Sequence, residues 1–187
     1  MDIKLTDFGR ARRITSYDGE KVPREGTTEF MAPEKVNNDK VGVPADIWGV
    51  GLLAFILLSG VSPFRGESDE DTMQNIKQVR YDAHQIYHNV TKYALKFIYM
   101  TLRKSTLSRL TTEECLEHKW MMLNAQMIKS KKAAIFSSDR LKIFEEDYIR
   151  RRRSGNMPND KLIKTYGATD GGYSSDEDDF LYKWNDS

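Results

Sequence analysis

Three residues near the N-terminus, Asp7, Phe8 and Gly9, have the types and order of a metal-binding turn. They follow residues 2–6 (DIKLT), in which polar and apolar residues alternate as in a short β-strand. A carboxylate at the end of a strand can hold Mg²⁺ against the phosphates of a nucleotide, and glycine permits the turn that follows. The phenylalanine is expected to pack beneath the turn. Alone, so short a string is a weak signal, because it also occurs by chance.

Further strings follow in one order and at compatible spacings. Gly26–Glu34 (GTTEFMAPE) ends in Ala-Pro-Glu, and Asp46–Gly51 (DIWGVG) opens a long apolar segment. Ser62–Phe64 (SPF) follows that segment, and Ser108–Thr111 (SRLT) precedes the last predicted helix of the body. Residues 10–44, rich in Gly, Pro, Thr and charge, read as a long surface loop, which is usually functional in a compact domain. The ordered set is much more specific than any one string.

On these strings, residues 1–123 resemble the C-terminal lobe of a eukaryotic serine/threonine protein kinase. Gly26–Glu34 and Ser59–Gly66 (SGVSPFRG) are most similar to the calcium/calmodulin-kinase group, and within it to the branch of myosin light chain kinase, titin, twitchin and obscurin. The resemblance implies a mainly α fold: a helical C-terminal lobe with a short N-terminal strand and without the N-terminal lobe. It also implies ATP and Mg²⁺ as cofactors of the intact parent, a protein substrate, and a cytoplasmic location, sarcomeric or cytoskeletal in the titin-like branch.

The resemblance assigns roles to five residues. Asp7 is implied to bind Mg²⁺ and, through it, the nucleotide. Thr27 is implied to hydrogen-bond near the catalytic base, as in kinases directed at serine and threonine hydroxyls. Glu34 and Arg109 are implied to form a buried ion pair that ties the loop to the lobe. Asp46 is implied to brace the backbone of the catalytic loop.

The catalytic groups of that family are missing from the 187 residues. The sequence has no Gly-rich loop, no Val-Ala-Ile-Lys lysine and no His-Arg-Asp catalytic loop. The catalytic aspartate is therefore expected upstream, and the chain is expected to begin inside a kinase domain. Because phosphoryl transfer depends on positioning and charge neutralisation by those groups, the chain alone is predicted to be inactive. The alternative is a catalytically dead kinase-like lobe that serves as a scaffold or interaction module in a muscle or cytoskeletal protein.

The elements that must position these residues are predicted from apolar spacing and caps. Residues 45–60 are apolar on every side and end in a glycine, which predicts a central helix buried all round. Ser68, Thr91 and Thr111 can each cap a helix whose apolar residues recur on one face. We therefore predict a packed helical body, a partial kinase domain, over residues 1–123.

Charge is distributed unevenly beyond that body. The net charge of +1 is too small for a dedicated nucleic-acid-binding protein. Residues 129–164 contain 11 basic and 5 acidic residues, whereas residues 165–187 contain 1 basic and 6 acidic residues. Residues 124–154 are predicted to be a regulatory or linker segment with an amphipathic helix, and residues 155–187 a disordered acidic tail.

The arginine run Arg150–Arg153 leaves three interpretations open. It is a solvated charged face, a calmodulin-type target helix over residues 140–153 like those that related kinases carry after their catalytic domains, or a nucleic-acid or membrane contact. The acidic residues Glu145–Asp147 interrupt the basic face, which favours the solvated face. No aromatic residues are interleaved with the arginines, so we predict neither nucleic acid nor membrane as a partner.

Overall fold

The computed structural model describes residues 4–5, 8–16, 18–83, 90–123, 139–154 and 166–167. Helices dominate this part of the chain, as the sequence predicts. They are α1 (Pro33–Val36), α2 (Pro44–Ser59), α3 (Asp69–Gln78), α4 (Lys92–Thr101), α5 (Thr112–Glu117) and α6 (Asp139–Ser154). Residues 119–123 are also helical. Single turns of 3₁₀ helix lie at Phe8–Arg10, Thr28–Phe30 and Thr106–Ser108.

The strands are two residues long and pair antiparallel. β1 (Glu20–Lys21) pairs with β2 (Lys40–Val41), and this ladder closes the loop that carries most of the motifs. β3 (Arg80–Tyr81) pairs with β4 (Tyr166–Gly167), which lies in the stretch assigned to the acidic tail. Of the strand predicted at residues 2–6, only residues 4–5 are described, and they lie outside any strand.

α2 is the centre of the apolar core. It begins at Pro44, whose fixed φ and missing N–H suit the first helical turn. It ends as predicted at Gly60, whose φ of 79° is left-handed and whose N–H donates to the carbonyl of Ile56. The core around α2 consists of large apolar side chains that are almost fully buried: Trp48, Leu52, Phe55, Phe64, Ile76, Phe97, Ile98 and Leu102.

A glycine sets how closely α4 approaches α2. A Cβ at Gly51 would collide with the hydroxyl of Thr101 and the side chain of Leu102. One turn earlier in α2, the Trp48 ring stacks on Phe64 with centroids 5.0 Å apart. The contact between α2 and α4 therefore depends on the absence of a side chain at position 51.

The three predicted helix caps are present. Ser68 caps α3 and Thr111 caps α5, each in a capping box that the third helical residue closes. Thr91 caps α4 by accepting a hydrogen bond from the N–H of Ala94. These local signals were sufficient to predict where the three helices begin.

The prediction that α2 is buried all round is wrong. Val50, Leu53 and Leu57 are 44%, 57% and 49% exposed, and they form one stripe along the helix. The sequence shows only that the helix is apolar on every side. In the part of the chain that the structure describes, α4 and α6 pack against α2 and leave this stripe uncovered. No helix among the described residues is both long and apolar enough to cross a membrane.

Candidate functional site

Glu34 and Arg109 form a bidentate ion pair in the interior. Glu34 lies in the first turn of α1, and Arg109 follows the 3₁₀ turn that ends at residue 108. The Nη1–Oε1 and Nη2–Oε2 distances are 2.9 and 3.0 Å. Arg109 is 4% exposed and Glu34 is 6% exposed. Two parallel charge-assisted hydrogen bonds fix the geometry as well as the distance. The structure thus brings together the two residues that the resemblance pairs.

The remaining donors of Arg109 bind backbone carbonyls. Nη1 donates to the carbonyl of Pro44 at 2.6 Å, and Nε and Nη2 donate to the carbonyl of Arg103 at 3.2 and 3.0 Å. The guanidinium also lies 5.3 Å from the ring centroid of Trp48. Arg109 therefore joins α1, the start of α2 and the end of α4 at one buried point.

Thr27 and Asp46 line one cleft of about 830 Å³. Thr27 precedes the Thr28–Phe30 turn in extended conformation, and its side chain makes no capping hydrogen bond there. Asp46 lies in the first turn of α2 and is exposed. Gly9, at the predicted metal-binding turn, lines the same cleft. Two of the predicted site residues and the turn at the N-terminus therefore face a common space.

Arg10 crosses this cleft to the segment before Thr27. Gly26 has a φ of 119°, and a Cβ there would lie 2.9 Å from Nη1 of Arg10. The backbone conformation therefore favours glycine at position 26, whereas the Arg10 guanidinium lies at the end of a flexible side chain that can shift. Lys35 lies at the same cleft and donates to the carbonyl of Glu25 at 2.8 Å.

The predicted metal ligand Asp7 lies outside the described residues. Phe8 is 68% exposed, so the expectation that it packs beneath the turn is wrong. The described residues contain no group of three side chains that could hold a metal ion.

A second buried charge cluster lies between α6 and the lobe. Nη1 of Arg151 is 3.3 Å from Oε1 of Glu29, and Nε of Arg151 is 3.0 Å from Oδ2 of Asp147. Nη1 of Arg65, in the connection between α2 and α3, is 2.6 Å from the same Asp147 oxygen. Glu29 and Arg151 are 2% and 7% exposed. The four residues form an alternating chain of charges that fastens α6 to the lobe, and we call it the tail-helix cluster.

Sequence reasoning missed the tail-helix cluster. The interpretation of the arginine run as a solvated face is wrong for Arg151, whereas Arg150 and Arg153 are exposed. The i,i+4 spacing of Asp147 and Arg151 was visible in the sequence. Their partners in the lobe could not be found in the same way, because those residues are distant in the chain.

Two groups at the end of the lobe have shifted pKa values. Burial, and then the charge of Glu114, raise the pKa of the Cys115 thiol. Burial, and then the charges of Lys96 and Lys119, lower the pKa of His118. Both shifts favour the neutral form of the side chain.

The protein kinase domain family matches residues 1–121. The chain belongs to the protein kinase family. It is 38% identical over 152 residues to chicken (Gallus gallus) smooth muscle myosin light chain kinase. The aligned region covers 81% of this kinase chain and 8% of the relative. The chain is 39% identical over 153 residues to mouse (Mus musculus) death-associated protein kinase 2, covering 80% of the chain and 40% of the relative.

A solved structure gives the same result. The twitchin kinase region from C. elegans matches this kinase chain with a TM-score of 0.50 and 31% identity, covering 67% of the chain and 21% of that structure. The sequence-based prediction of a calcium/calmodulin-kinase-like chain of the myosin light chain kinase type is confirmed. The chain spans well under two thirds of the length of each of these relatives.

Proposed function

We propose that this chain supplies the C-terminal lobe of a protein serine/threonine kinase, which in its intact form transfers the γ-phosphoryl group of ATP to hydroxyls of a protein substrate. The observation that carries the proposal is the buried bidentate Glu34–Arg109 pair, together with the cleft that Thr27 and Asp46 line. The family uses ATP and Mg²⁺ for this reaction.

In this proposal the cleft receives the catalytic loop. Its proposed partners are Asp46, which accepts hydrogen bonds from the backbone of that loop, and the Thr27 hydroxyl, which hydrogen-bonds near its catalytic base. The buried Glu34–Arg109 pair holds the segment that carries Thr27 against α2, because Arg109 also binds the carbonyl at the start of α2. The role of Asp7 is to hold Mg²⁺, which positions the phosphates and neutralises their charge.

The chain alone does not transfer phosphate in this account. Its sequence has neither the nucleotide-binding lysine nor the catalytic-loop aspartate, and loss of a general base alone costs about 10²–10⁴-fold in rate. The test is an assay of the purified chain with ATP, Mg²⁺ and a serine-containing peptide. We expect no transfer. Robust phosphorylation that Asp7→Ala leaves unchanged contradicts the proposal.

The second candidate is a catalytically dead kinase-like scaffold of a sarcomeric or cytoskeletal protein. It is supported by the tail-helix cluster, which binds α6 to the lobe. The coding sequence directly upstream separates the two. An intact lysine strand and His-Arg-Asp loop support the kinase, and their degeneration supports the scaffold.

Calmodulin is the proposed partner of residues 140–153 when α6 is detached. Half-buried Leu141, Phe144 and Tyr148 line one face of α6, next to the arginine run. In the structure Arg151 is buried on Glu29, so calmodulin competes with the lobe for this helix. The test is a titration with Ca²⁺-loaded calmodulin. We expect Phe144→Ala to weaken binding and the exposed-face variant Lys142→Ala to bind as the parent does.

A further inference from the structure

Tyr148 stands beside the tail-helix cluster. Its ring stacks on Phe144 with centroids 6.3 Å apart and planes 15° from parallel, and the guanidinium of Arg151 lies 5.7 Å from its centroid. Tyr148 is half-buried and directly follows Asp147 in the chain. Any charge placed on this ring therefore falls next to the guanidinium that holds Glu29.

The buried charges of the cluster are balanced. Two carboxylates, Glu29 and Asp147, face two guanidiniums, Arg65 and Arg151, while Arg150 stands at the exposed rim 3.8 Å from Asp147. A phosphate on Tyr148 adds roughly −1.5 to −2 charges beside this balanced set. It also offers three strong acceptor oxygens to Arg151.

Arg151 cannot bind the phosphate and Glu29 equally well. It holds Glu29 through one hydrogen bond of 3.3 Å, and the other carboxylate oxygen of Glu29, Oε2, accepts no hydrogen bond from the described residues. If Arg151 turns to a phosphate, Glu29 is left as a buried carboxylate without a cation, which is strongly unfavourable. The helix then has to leave the lobe, because only detachment gives Glu29 access to water.

The residues before Tyr148 define the kind of enzyme that modifies it. Glu145 and Glu146 are exposed, and with Asp147 they place three carboxylates immediately before the phenol. We propose that Tyr148 is a phosphorylation site for a tyrosine kinase with a basic substrate groove, and that its phosphorylation detaches α6 from the lobe. The phenol oxygen attacks the γ-phosphorus of ATP, the β–γ bridging bond breaks, ADP leaves, and the phenolic proton passes to the base of that kinase.

Detachment and modification are linked through the population of free helix. A half-buried phenol is modified when α6 is transiently off the lobe, and the added phosphate then prevents re-docking. The modification selects a state that already exists and makes it dominant. The experiment measures the docking of α6 and not the activity of this chain. Its failure is therefore distinguishable from a failure of the proposed function.

The experiment treats the full chain with a purified tyrosine kinase and ATP–Mg²⁺, maps the phosphate by mass spectrometry, and measures amide hydrogen exchange over residues 139–154. We expect phosphate at Tyr148 and a roughly ten- to hundred-fold loss of protection in α6, which a phosphatase reverses. Tyr148→Phe keeps the aromatic ring, and its α6 amides are expected to stay protected after treatment. In Tyr93→Phe the α6 amides are expected to lose protection, as they do in the parent.

Three results overturn the proposal. One is a chain phosphorylated at Tyr148 whose α6 stays protected. Another is modification of other tyrosines with Tyr148 untouched. The third is an α6 without protection before any treatment, because the docking on which the proposal depends would then be absent.

Discussion

The guanidinium of Arg151 meets the carboxylate of Glu29 at 3.3 Å, although the two residues are 122 positions apart. Both side chains are buried. Glu29 belongs to the turn just before the Ala-Pro-Glu segment, and Arg151 to the last turns of α6. The pair makes α6 part of the packing of the kinase lobe.

Arg151→Met is expected to loosen α6, because it leaves Glu29 without its cation. Removing one partner of a buried pair costs about 3–5 kcal/mol, and detachment of α6, which rehydrates Glu29, limits the cost to the low end. Arg150→Met is the control, since Arg150 is exposed and its ion pair is worth little. The measurement is limited proteolysis between α5 and α6, together with urea unfolding.

A double-mutant cycle identifies the pair itself. Glu29→Gln combined with Arg151→Met is expected to cost less than the sum of the single variants, with a coupling energy of about 0.5–3 kcal/mol. Strict additivity of the two substitutions would contradict the direct contact.

Arg109→Ala is expected to be among the most damaging substitutions in the lobe. It leaves Glu34 buried without its partner and frees the carbonyls of Pro44 and Arg103. We expect a loss of about 3–5 kcal/mol in the free energy of unfolding, and Arg109→Lys to recover only part of it, because lysine cannot bind bidentately. Urea unfolding checks this, with exposed Lys104→Ala as the control. Equal midpoints for Arg109→Ala and Lys104→Ala would rule out the structural role.

Two glycines of the same helix are expected to respond in opposite directions to alanine. Gly51→Ala drives a methyl group into Thr101 and Leu102 and is expected to destabilise the protein by about 1–3 kcal/mol. Gly49→Ala meets open space, with no atom within 4 Å, and is expected to stabilise α2 by up to about 1 kcal/mol. Thermal unfolding of both variants decides the matter, and a stabilising Gly51→Ala would disprove the close approach of α4.

Stability is expected to fall in mild acid because of His118. Its pKa is lowered in the folded state, so the unfolded chain binds the proton more readily below about pH 6.5. The Nδ1 atom also accepts a hydrogen bond from the N–H of Trp120 at 3.2 Å, which protonation removes. The free energy of unfolding should therefore decline as the pH falls from about 7 and level off below the lowered pKa.

His118→Asn separates this effect from general acid sensitivity. Asparagine retains an acceptor near Nδ1 but does not titrate, so its urea unfolding curve should depend less on pH between about 7 and 5. An identical pH dependence in parent and variant would show that His118 is not responsible.

The local features of this fold were predictable, because local sequence specifies them. The caps at Ser68 and Thr111 follow from side chains that bind the N–H three residues further on, and the stop at Gly60 follows from the left-handed backbone that glycine adopts there. The Glu34–Arg109 contact was expected only through the family resemblance. Nothing in the spacing of two residues 75 positions apart indicates that they meet.

The errors have one physical origin, which is that burial depends on the elements that pack around a helix. An apolar α2 leaves open which of its faces is covered, and Leu53 turned out to be exposed. The sequence of a basic run does not show which of its arginines is buried. Arg151 is the buried one because it forms ion pairs with Glu29 and Asp147. Both outcomes are set by distant parts of the chain.

The proposed function makes this chain the C-terminal lobe of a working kinase. The most direct test uses a chimera in which residues 1–123 follow the upstream kinase segment of a myosin light chain kinase. The measurement is phosphoryl transfer by this chimera from ATP–Mg²⁺ to a serine-containing peptide. A cooperative thermal transition establishes that the chimera is folded. We predict phosphorylation of the peptide that Asp7→Ala abolishes. A folded chimera that transfers no phosphate, or one indifferent to Asp7→Ala, would contradict the claim.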